Sequence, residues 1–249
     1  MKLKLAAFTL AFGLLSSTAY AGQACHVTEQ MGAPIAAPGK DNQLISLCRM
    51  GYQSMYDVTT KTPYWVAEDI VKQNVVGKFV RKESWTNDPD VPEPYRALLS
   101  DYKNSGYARG HMAAAANFRR NDAAQAQSYF TSNILPQQQK CNNSGVWSKI
   151  EDMTRDWAVS YGELYVVTGG IFSNNPEHIG NGVAIPSHIY KVIYNPVLKK
   201  SLAFLVPNKE VCNSVPRDFA VTQDIVETVT KIKFFPNVAG YERTNQIWQ

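Results

Sequence analysis

Residues 101–118, DYKNSGYARGHMAAAANF, hold the most informative combination of side chains in this chain. A cation, a glycine and a histidine follow one another there as Arg109, Gly110 and His111, just before a run of small residues. Neutral imidazole can take a proton from water near physiological pH, and a guanidinium can hold two phosphate oxygens at once. Gly110 would let the backbone approach a ligand closely. A histidine beside an arginine is more often structural than catalytic, so this stretch needs support from elsewhere in the chain.

A second stretch, residues 131–151, reads TSNILPQQQKCNNSGVWSKIE and offers oxygen ligands for a metal ion. Ser144 is a suitable N-cap, which puts Glu151 about two helical turns beyond the loop that carries Asn143. An amide oxygen and a carboxylate suit Mg²⁺, which keeps most of its water ligands and takes one or two from the protein. The competing interpretation is that Asn143 and Glu151 are only a helix cap and a partner of the helix dipole.

The sequence on either side predicts strands and helices without a regular alternation. A hairpin is predicted from the extended runs at residues 52–58 and 64–67, which flank the turn-like TTKTP. Further strands are predicted at residues 76–85, 164–168, 183–194 with a break at Pro186, and 201–206. Helices are predicted at residues 121–130, 144–161 and 218–230. This order favours an α+β fold, a layered mixed sheet flanked by helices in a single domain.

The N-terminus predicts an exported protein. Lys2 and Lys4, an apolar run over residues 5–15 and the small residues before position 22 indicate a signal peptide over residues 1–21. The predicted domain is residues 22–249, with an irregular leader at about 22–43, and its expected location is the periplasm or the medium. No later stretch is apolar for long enough to cross a membrane, so no membrane partner is expected.

Composition and charge narrow the function little. With 45% hydrophobic and 18% charged residues, the chain is expected to fold rather than stay disordered. The net charge of +4 falls to +2 once Lys2 and Lys4 are removed, which is too small to argue for a nucleic-acid partner by itself.

Four cysteines lie beyond residue 21, an even number that predicts two disulfides in an exported chain. Three pairings exist. We favour a bond between Cys25 and Cys48, because the N-terminal leader needs a tether. This leaves Cys141 to pair with Cys212. No two of these cysteines have the spacing of a chelating pair, so a cysteine metal site is not expected.

Taken together, the two stretches resemble the DNA/RNA non-specific endonucleases of the ββα-metal superfamily, which includes the Serratia nuclease, endonuclease G and the exonuclease-G-like branch. Arg109-Gly110-His111 matches the family's arginine-glycine-histidine core. The segments that match its later elements are Ser132-Asn133 with Pro136-Gln137, Asn143-x-Gly145-x-Trp147 with Glu151, and residues 185–191, 206–208 and 226–235. The likeness covers about residues 52–235. Several motifs in the same order and at compatible spacing rarely occur together by chance.

The resemblance implies an endonuclease that cuts DNA and RNA through their phosphate backbone and leaves 5′-phosphates. It implies one Mg²⁺ ion, replaceable by Mn²⁺, that Asn143 holds directly and Glu151 holds through water. His111 would be the general base and Arg109 would steady the phosphate. Asn133 would fix His111 or the metal loop, or serve in packing alone. Members of the family are often dimers, so a homodimer is an alternative to a monomer.

Two departures from the family pattern leave alternatives open. The motif commonly begins with aspartate, whereas this chain has Ala108. The exonuclease-G-like branch of the family also lacks the aspartate. A catalytically inactive nucleic-acid-binding protein of the same fold is therefore the second hypothesis. One residue is inserted around Cys141, which makes Asn142 a rival of Asn143 as the metal ligand; the spacing to Glu151 favours Asn143.

Other side chains are weaker candidates for contacts with nucleic acid. Arg81 and Lys82 lie where the family often has another phosphate-facing cation, although the match there is poor. Four tryptophans could stack on bases, Trp65, Trp85, Trp147 and Trp157, but buried packing is their commoner role.

Overall fold

The computed structural model describes residues 25–40 and 43–248, so the predicted signal peptide at 1–21 lies outside the described residues. The strands are β1 (Leu44–Cys48), β2 (Tyr52–Asp57), β3 (Thr62–Val71), β4 (Ala108–His111), β5 (Ile134–Gln137), β6 (Glu163–Ile171), β7 (His178–Ile179), β8 (Val183–Ala184), β9 (His188–Asn195), β10 (Lys200–Pro207), β11 (Ala220–Val221) and β12 (Glu242–Arg243). The helices are α1 (Lys72–Val75), α2 (Leu99–Tyr102), α3 (Asp122–Ser128), α4 (Ser148–Tyr161) and α5 (Gln223–Thr230).

One large mixed sheet organises the molecule. Among the described residues, eight strands follow the order β1-β2-β3-β6-β9-β10-β11, with β12 also paired to β10. Neighbours are antiparallel except β10 and β12. The predicted hairpin is confirmed as β2 and β3, which pair from Tyr52 opposite Glu68 to Asp57 opposite Thr62. β4 and β5 form a separate two-stranded ribbon.

Both faces of the sheet carry an apolar core. β3 shows the reason, because its alternate side chains enter different clusters: Val66 and Ile70 pack on the α4 side, while Trp65 and Ala67 pack on the α5 side. A strand buried on both faces reads as a nearly continuous apolar run. The predicted α+β class and single domain are confirmed.

The predicted strand at residues 76–85 is wrong. After β3 and the single turn of α1, this segment is irregular and exposes charged residues such as Arg81 and Lys82. It lacks an apolar face to bury against the sheet, and its backbone is fastened to α3 instead, where the Lys82 N–H donates to Gln125 Oε1 at 2.8 Å. We name residues 76–86 the basic loop.

Two predicted helices begin later than expected. α4 starts at Ser148, not Ser144, because the Ser144 hydroxyl donates to the carbonyl of Gln139 inside an irregular turn, 2.9 Å away. α5 starts at Gln223, since Ala220–Val221 pairs with β10 and draws the preceding residues into the sheet. The helix predicted at residues 121–130 is confirmed as α3, whose N-cap Asn121 accepts from Ala124 N at 2.9 Å.

Two disulfides fasten the chain in the favoured pairing. Cys25–Cys48 ties the leader to β1, with 5.6 Å between the Cα atoms, and Cys141–Cys212 joins the segment before α4 to the loop after β10, with 4.9 Å. The described part of the leader is largely irregular, as predicted. No helix in the described ranges has the length and hydropathy of a membrane span.

Candidate active site

A cleft of about 880 Å³ collects most of the predicted site residues. Its lining includes residues of the basic loop and of β4, which we call the histidine wall, and residues between Gln139 and Glu151, which we call the amide wall. Arg109 and His111 line the first wall; Asn143 and Glu151 line the second. Asn133 and Asn142 are not among the lining residues.

The β4–β5 ribbon sets the positions of Arg109 and His111. Arg109 stands opposite Pro136 and His111 opposite Ile134, so both side chains are on one face of the ribbon and Gly110 is on the other. A Cβ at Gly110 would collide with Gln137 Oε1. Packing within the protein therefore accounts for glycine at this position.

His111 is half-buried in an aromatic environment. Its ring centroid lies 4.9 Å from that of Trp85 and 5.1 Å from that of Tyr129, and its Nε2 is buried. Burial lowers the pKa of His111 to about 3, and the charges of Arg81 and Arg109 add to this. The imidazole is therefore neutral over the physiological range, the form that can accept a proton.

Arg109 is half-buried and presents its guanidinium to the cleft. Its Cζ lies 4.5 Å from the centroid of the Trp85 ring, a cation–π contact. Within the described ranges no carboxylate forms an ion pair with Arg109. The donors of this guanidinium are thus available to an anion such as phosphate. Arg81 also lines the cleft, where it pairs with Glu83 at 2.7 Å, while Lys82 pairs with Asp122 outside it.

Asn133 has a structural position behind His111. Its Oδ1 accepts from Ala113 N at 3.0 Å, and its Nδ2 donates to the carbonyls of Ala113 and Ser128 at 2.9 and 2.7 Å. These bonds fix the backbone two residues after His111. The amide is fully buried and both its oxygen and its nitrogen bond to the protein, which favours a positioning role for Asn133 over a direct catalytic one.

The rival amides Asn142 and Asn143 occupy different environments. Asn142 is fully buried, accepts from Gln137 at 3.0 Å, and donates to the carbonyls of Pro207 and Lys209 at 2.8 and 2.9 Å. Asn143 lines the cleft, and its Nδ2 donates to Gln139 Oε1 at 3.0 Å, which leaves its Oδ1 available to a ligand. The inserted Cys141 adopts a left-handed backbone (φ 60°) between Gln139 and these two residues.

Glu151 lies above a buried charged cluster that the sequence patterns did not reveal. Burial raises the pKa of Glu151, while the charges of Lys191 and Arg155 oppose that shift. Lys191 is buried on β9, where its Nζ donates to Thr168 Oγ1 at 2.8 Å. Glu68 on β3 accepts from Asn117 at 2.9 Å, and burial raises its pKa to about 7. Charged residues inside apolar strand runs were the available signal: Glu68 beside Asp69 in β3, and Lys191 in β9.

The donor set of the amide wall fits Mg²⁺. Asn143 and Glu151 provide one neutral oxygen and one carboxylate, and no group of three or more His, Cys, Asp or Glu side chains in the described ranges could cage a metal. Mg²⁺ binds through few protein oxygens and retains water, whereas Zn²⁺ and Ca²⁺ sites usually need more protein ligands.

The family model for DNA/RNA non-specific endonucleases matches residues 31–240. The chain belongs to this family. Its sequence is similar to the mouse protein "Nuclease EXOG, mitochondrial" (33% identity; 85% of this chain and 61% of that protein) and to the human "Endonuclease G, mitochondrial" (31%; 76% and 69%). The chain thus spans about three fifths of the length of the EXOG relatives.

Comparison with solved structures supports the same family and fold. A structure of EndoG in complex with EndoGI matches it with a TM-score of 0.76 and 26% identity, over 85% of this chain and 91% of EndoG. The predicted ββα-metal nuclease fold is confirmed.

The names of the relatives contradict the predicted location. The EXOG, endonuclease G and yeast relatives are named mitochondrial nucleases, which points to mitochondria, so the prediction of a periplasmic or secreted protein is wrong. A basic N-terminal segment without acidic residues is common to secretion signals and mitochondrial transit peptides. The composition of residues 1–21 therefore did not separate the two destinations.

Proposed function

We propose that this chain is an endonuclease that hydrolyses phosphodiester bonds of DNA and RNA, with His111 as general base and one Mg²⁺ ion, and leaves 5′-phosphates. The observation that carries the proposal is the shared cleft: a neutral imidazole, a guanidinium, an amide oxygen and a carboxylate all line it. Family membership supports the substrate class.

His111 would take the proton of the attacking water as the water oxygen bonds to phosphorus and the bond from phosphorus to the 3′ oxygen breaks. Arg109 would hold non-bridging oxygens of the same phosphate. A bound phosphate also brings negative charge beside Arg81 and Arg109, the two cations that help to lower the pKa of His111. Substrate binding would thus raise this pKa towards the range in which a general base works best.

The amide wall would hold the metal, Asn143 directly through Oδ1 and Glu151 through water. When bound, Mg²⁺, or Mn²⁺ in its place, stabilises the negative charge that develops on the leaving oxygen. Asn142 is excluded from this role because its side-chain groups are committed to buried hydrogen bonds.

Low sequence preference follows from the same arrangement. Every nucleotide offers the same phosphodiester, and contacts to the backbone position a nucleic acid without reading its bases. The proposed partners are therefore DNA and RNA through their phosphates, and a homodimer remains a prediction for light scattering to test.

The proposal is tested by digesting supercoiled plasmid and a structured RNA in Mg²⁺, in Mn²⁺ and in EDTA. His111→Ala should lower the cleavage rate by about 10²–10⁴-fold, and EDTA should stop cleavage. The exposed His178, outside the cleft, provides the matched control His178→Ala, which should cut at the wild-type rate. Cleavage in EDTA, or full activity of His111→Ala, would contradict the proposal.

Ala108 motivates the second hypothesis, an inactive nucleic-acid-binding protein. It lines the cleft without the carboxylate that the family motif commonly has there. Wild-type protein that retains labelled DNA in Mg²⁺ yet never cuts it would favour this hypothesis, and restoration of cleavage by Ala108→Asp would identify the cause.

A further inference from the structure

Trp85, at the end of the basic loop, contacts both functional side chains of the histidine wall. Its half-buried ring lies 4.9 Å from His111, 4.5 Å from the Arg109 Cζ and 4.9 Å from Tyr129. Tyr129 meets both Trp85 and His111 edge to face, with interplanar angles of 83° and 79°. The three rings therefore pack as one group around the imidazole.

The imidazole of His111 lacks the hydrogen bond that usually orients a catalytic histidine. No described residue forms a hydrogen bond with its ring nitrogens, and Nε2 is buried without a partner. A histidine base is commonly held by a carboxylate or a carbonyl on its second nitrogen. Ring contacts are what remains to fix its orientation.

We propose that Trp85 is a positioning residue: together with Tyr129 it holds the His111 imidazole by ring packing, and it holds the Arg109 guanidinium by a cation–π contact. This inference rests on the proposed function, in which His111 and Arg109 act on the same phosphate. Arg109 and His111 are two residues apart on β4 and share a face, so a single indole reaches both.

The charges around this group favour the same role. Arg81 lies 5.9 Å from the Tyr129 ring and pairs with Glu83 at the mouth of the cleft, so Arg81, Arg109 and Glu83 are the charged groups near the imidazole. Because the imidazole is neutral, the charges of Arg81 and Arg109 do not anchor the ring. Packing against Trp85 supplies an attraction that is independent of its charge.

The alternative is that Trp85 stacks on a nucleotide base. Its ring already contacts Arg109, His111 and Tyr129, which leaves less of its surface for a base. The two roles differ in kinetics: loss of a stacking platform weakens substrate binding, whereas loss of a positioning residue lowers the turnover of bound substrate.

The first test needs neither metal nor nucleic acid, so it is independent of the proposed function. The chain has four histidines, and the His111 Hε1 proton resonance can be assigned with His111→Gln. Stacking on the indole should shift this resonance away from those of the exposed histidines. Trp85→Leu should remove the shift and Trp85→Phe should preserve most of it. An unchanged His111 resonance in Trp85→Leu would overturn the proposal, even if wild-type protein cuts DNA.

The second test separates kcat from KM on plasmid or oligonucleotide substrate. A small misplacement of a reacting group can cost about 10²-fold, so Trp85→Leu should lower kcat at least tenfold with KM within threefold, while Trp85→Phe should remain within about threefold of wild type in kcat. The matched control is Trp157→Leu, because Trp157 lies on α4, packs against Trp248 and does not line the cleft. It should lower the melting temperature and leave kcat unchanged. A Trp85→Leu protein with normal kcat and raised KM would establish base stacking instead.

Discussion

The two walls of the cleft are fixed by different forces. On the histidine wall, Arg109 and His111 project from a short ribbon, and their side chains contact aromatic rings instead of hydrogen-bonding partners. On the amide wall, Asn143 lies in an irregular segment that the Cys141–Cys212 disulfide and the bonds of Asn142 join to the end of β10.

The difference follows from what each wall is proposed to do. A base needs a low-dielectric environment that keeps it neutral, and aromatic packing provides this without offering a proton donor or acceptor. A metal ligand needs an accurately placed oxygen, which buried hydrogen bonds and a covalent link can hold. Variants that remove a disulfide, a hydrogen bond or a ring contact from one wall, each beside a matched variant, separate these two ways of holding a side chain.

The largest expected effect is that of the disulfides. Chain-entropy arguments give about 4 kcal/mol of stabilisation for a bridge across 71 residues and about 3 kcal/mol across 23. Removal of Cys141–Cys212 by double serine substitution should also weaken Mg²⁺ binding at least tenfold, because the segment carrying Asn143 is released. Removal of Cys25–Cys48 should lower stability alone. Urea unfolding and calorimetric Mg²⁺ titration measure both quantities, and equal Mg²⁺ affinities in the two variants would show that the bridge does not support the site.

Asn142 and Asn143 are expected to differ in what they support, the first stability and the second metal binding. Asn142→Ala leaves two carbonyls and Gln137 without their buried partner and should cost about 2–3 kcal/mol of stability. Asn143→Ala should change the free energy of unfolding by less than about 0.5 kcal/mol, because its side chain is half-exposed in the cleft, yet it should abolish Mg²⁺ binding. The opposite ranking of the two variants in stability would contradict the assignment of the ligand.

The burial of His111 predicts a pH dependence of stability. Its folded pKa of about 3 lies below the ordinary value of 6.5, so between these values the unfolded chain binds a proton that the folded chain does not. Acidification from pH 7.5 to 5 should therefore reduce the stability of wild type relative to His111→Gln by about 2 kcal/mol. Chemical denaturation at both pH values measures this difference, and an equal loss of stability in wild type and His111→Gln would contradict the prediction.

The smallest effect is expected for the hydroxyl of Tyr129. The Oη atom is buried without a hydrogen-bond partner, whereas the ring contacts both His111 and Trp85. Tyr129→Phe keeps the ring and should leave kcat unchanged and stability within about 0.5 kcal/mol. A tenfold loss of kcat would show that the hydroxyl, and not ring packing, supports the base.

Local sequence patterns predict the hairpin and most of the residues that line the cleft. Alternation predicted the hairpin, and the motifs around Arg109-Gly110-His111 and Asn143–Glu151 indicated residues that line the cleft. Local patterns failed where a tertiary contact overrode them. Ser144 has the chemistry of a cap, but the Cys141 bridge and the buried Asn142 hold residues 139–147 in an irregular turn, so the helix begins at Ser148.

Other features depend on partners distant in the chain. Glu68 and Lys191 are 123 positions apart, and only the sheet order β3-β6-β9 brings them under Glu151. The contacts of Trp85 with His111 and Tyr129 likewise join the basic loop to two other segments. The strand predicted at residues 76–85 is irregular in the structure because most of this segment is exposed and its charged side chains have no place against the sheet.

The central claim, that one wall supplies the base and the other the metal, is tested most directly by measuring metal binding and cleavage in the same two variants. Electron paramagnetic resonance can follow Mn²⁺ binding to His111→Ala and Asn143→Ala, and plasmid nicking gives their activity. We expect both variants to lose cleavage, with His111→Ala binding Mn²⁺ like wild type and Asn143→Ala not binding it. Loss of Mn²⁺ binding in His111→Ala, or normal binding in Asn143→Ala, would contradict this division of roles.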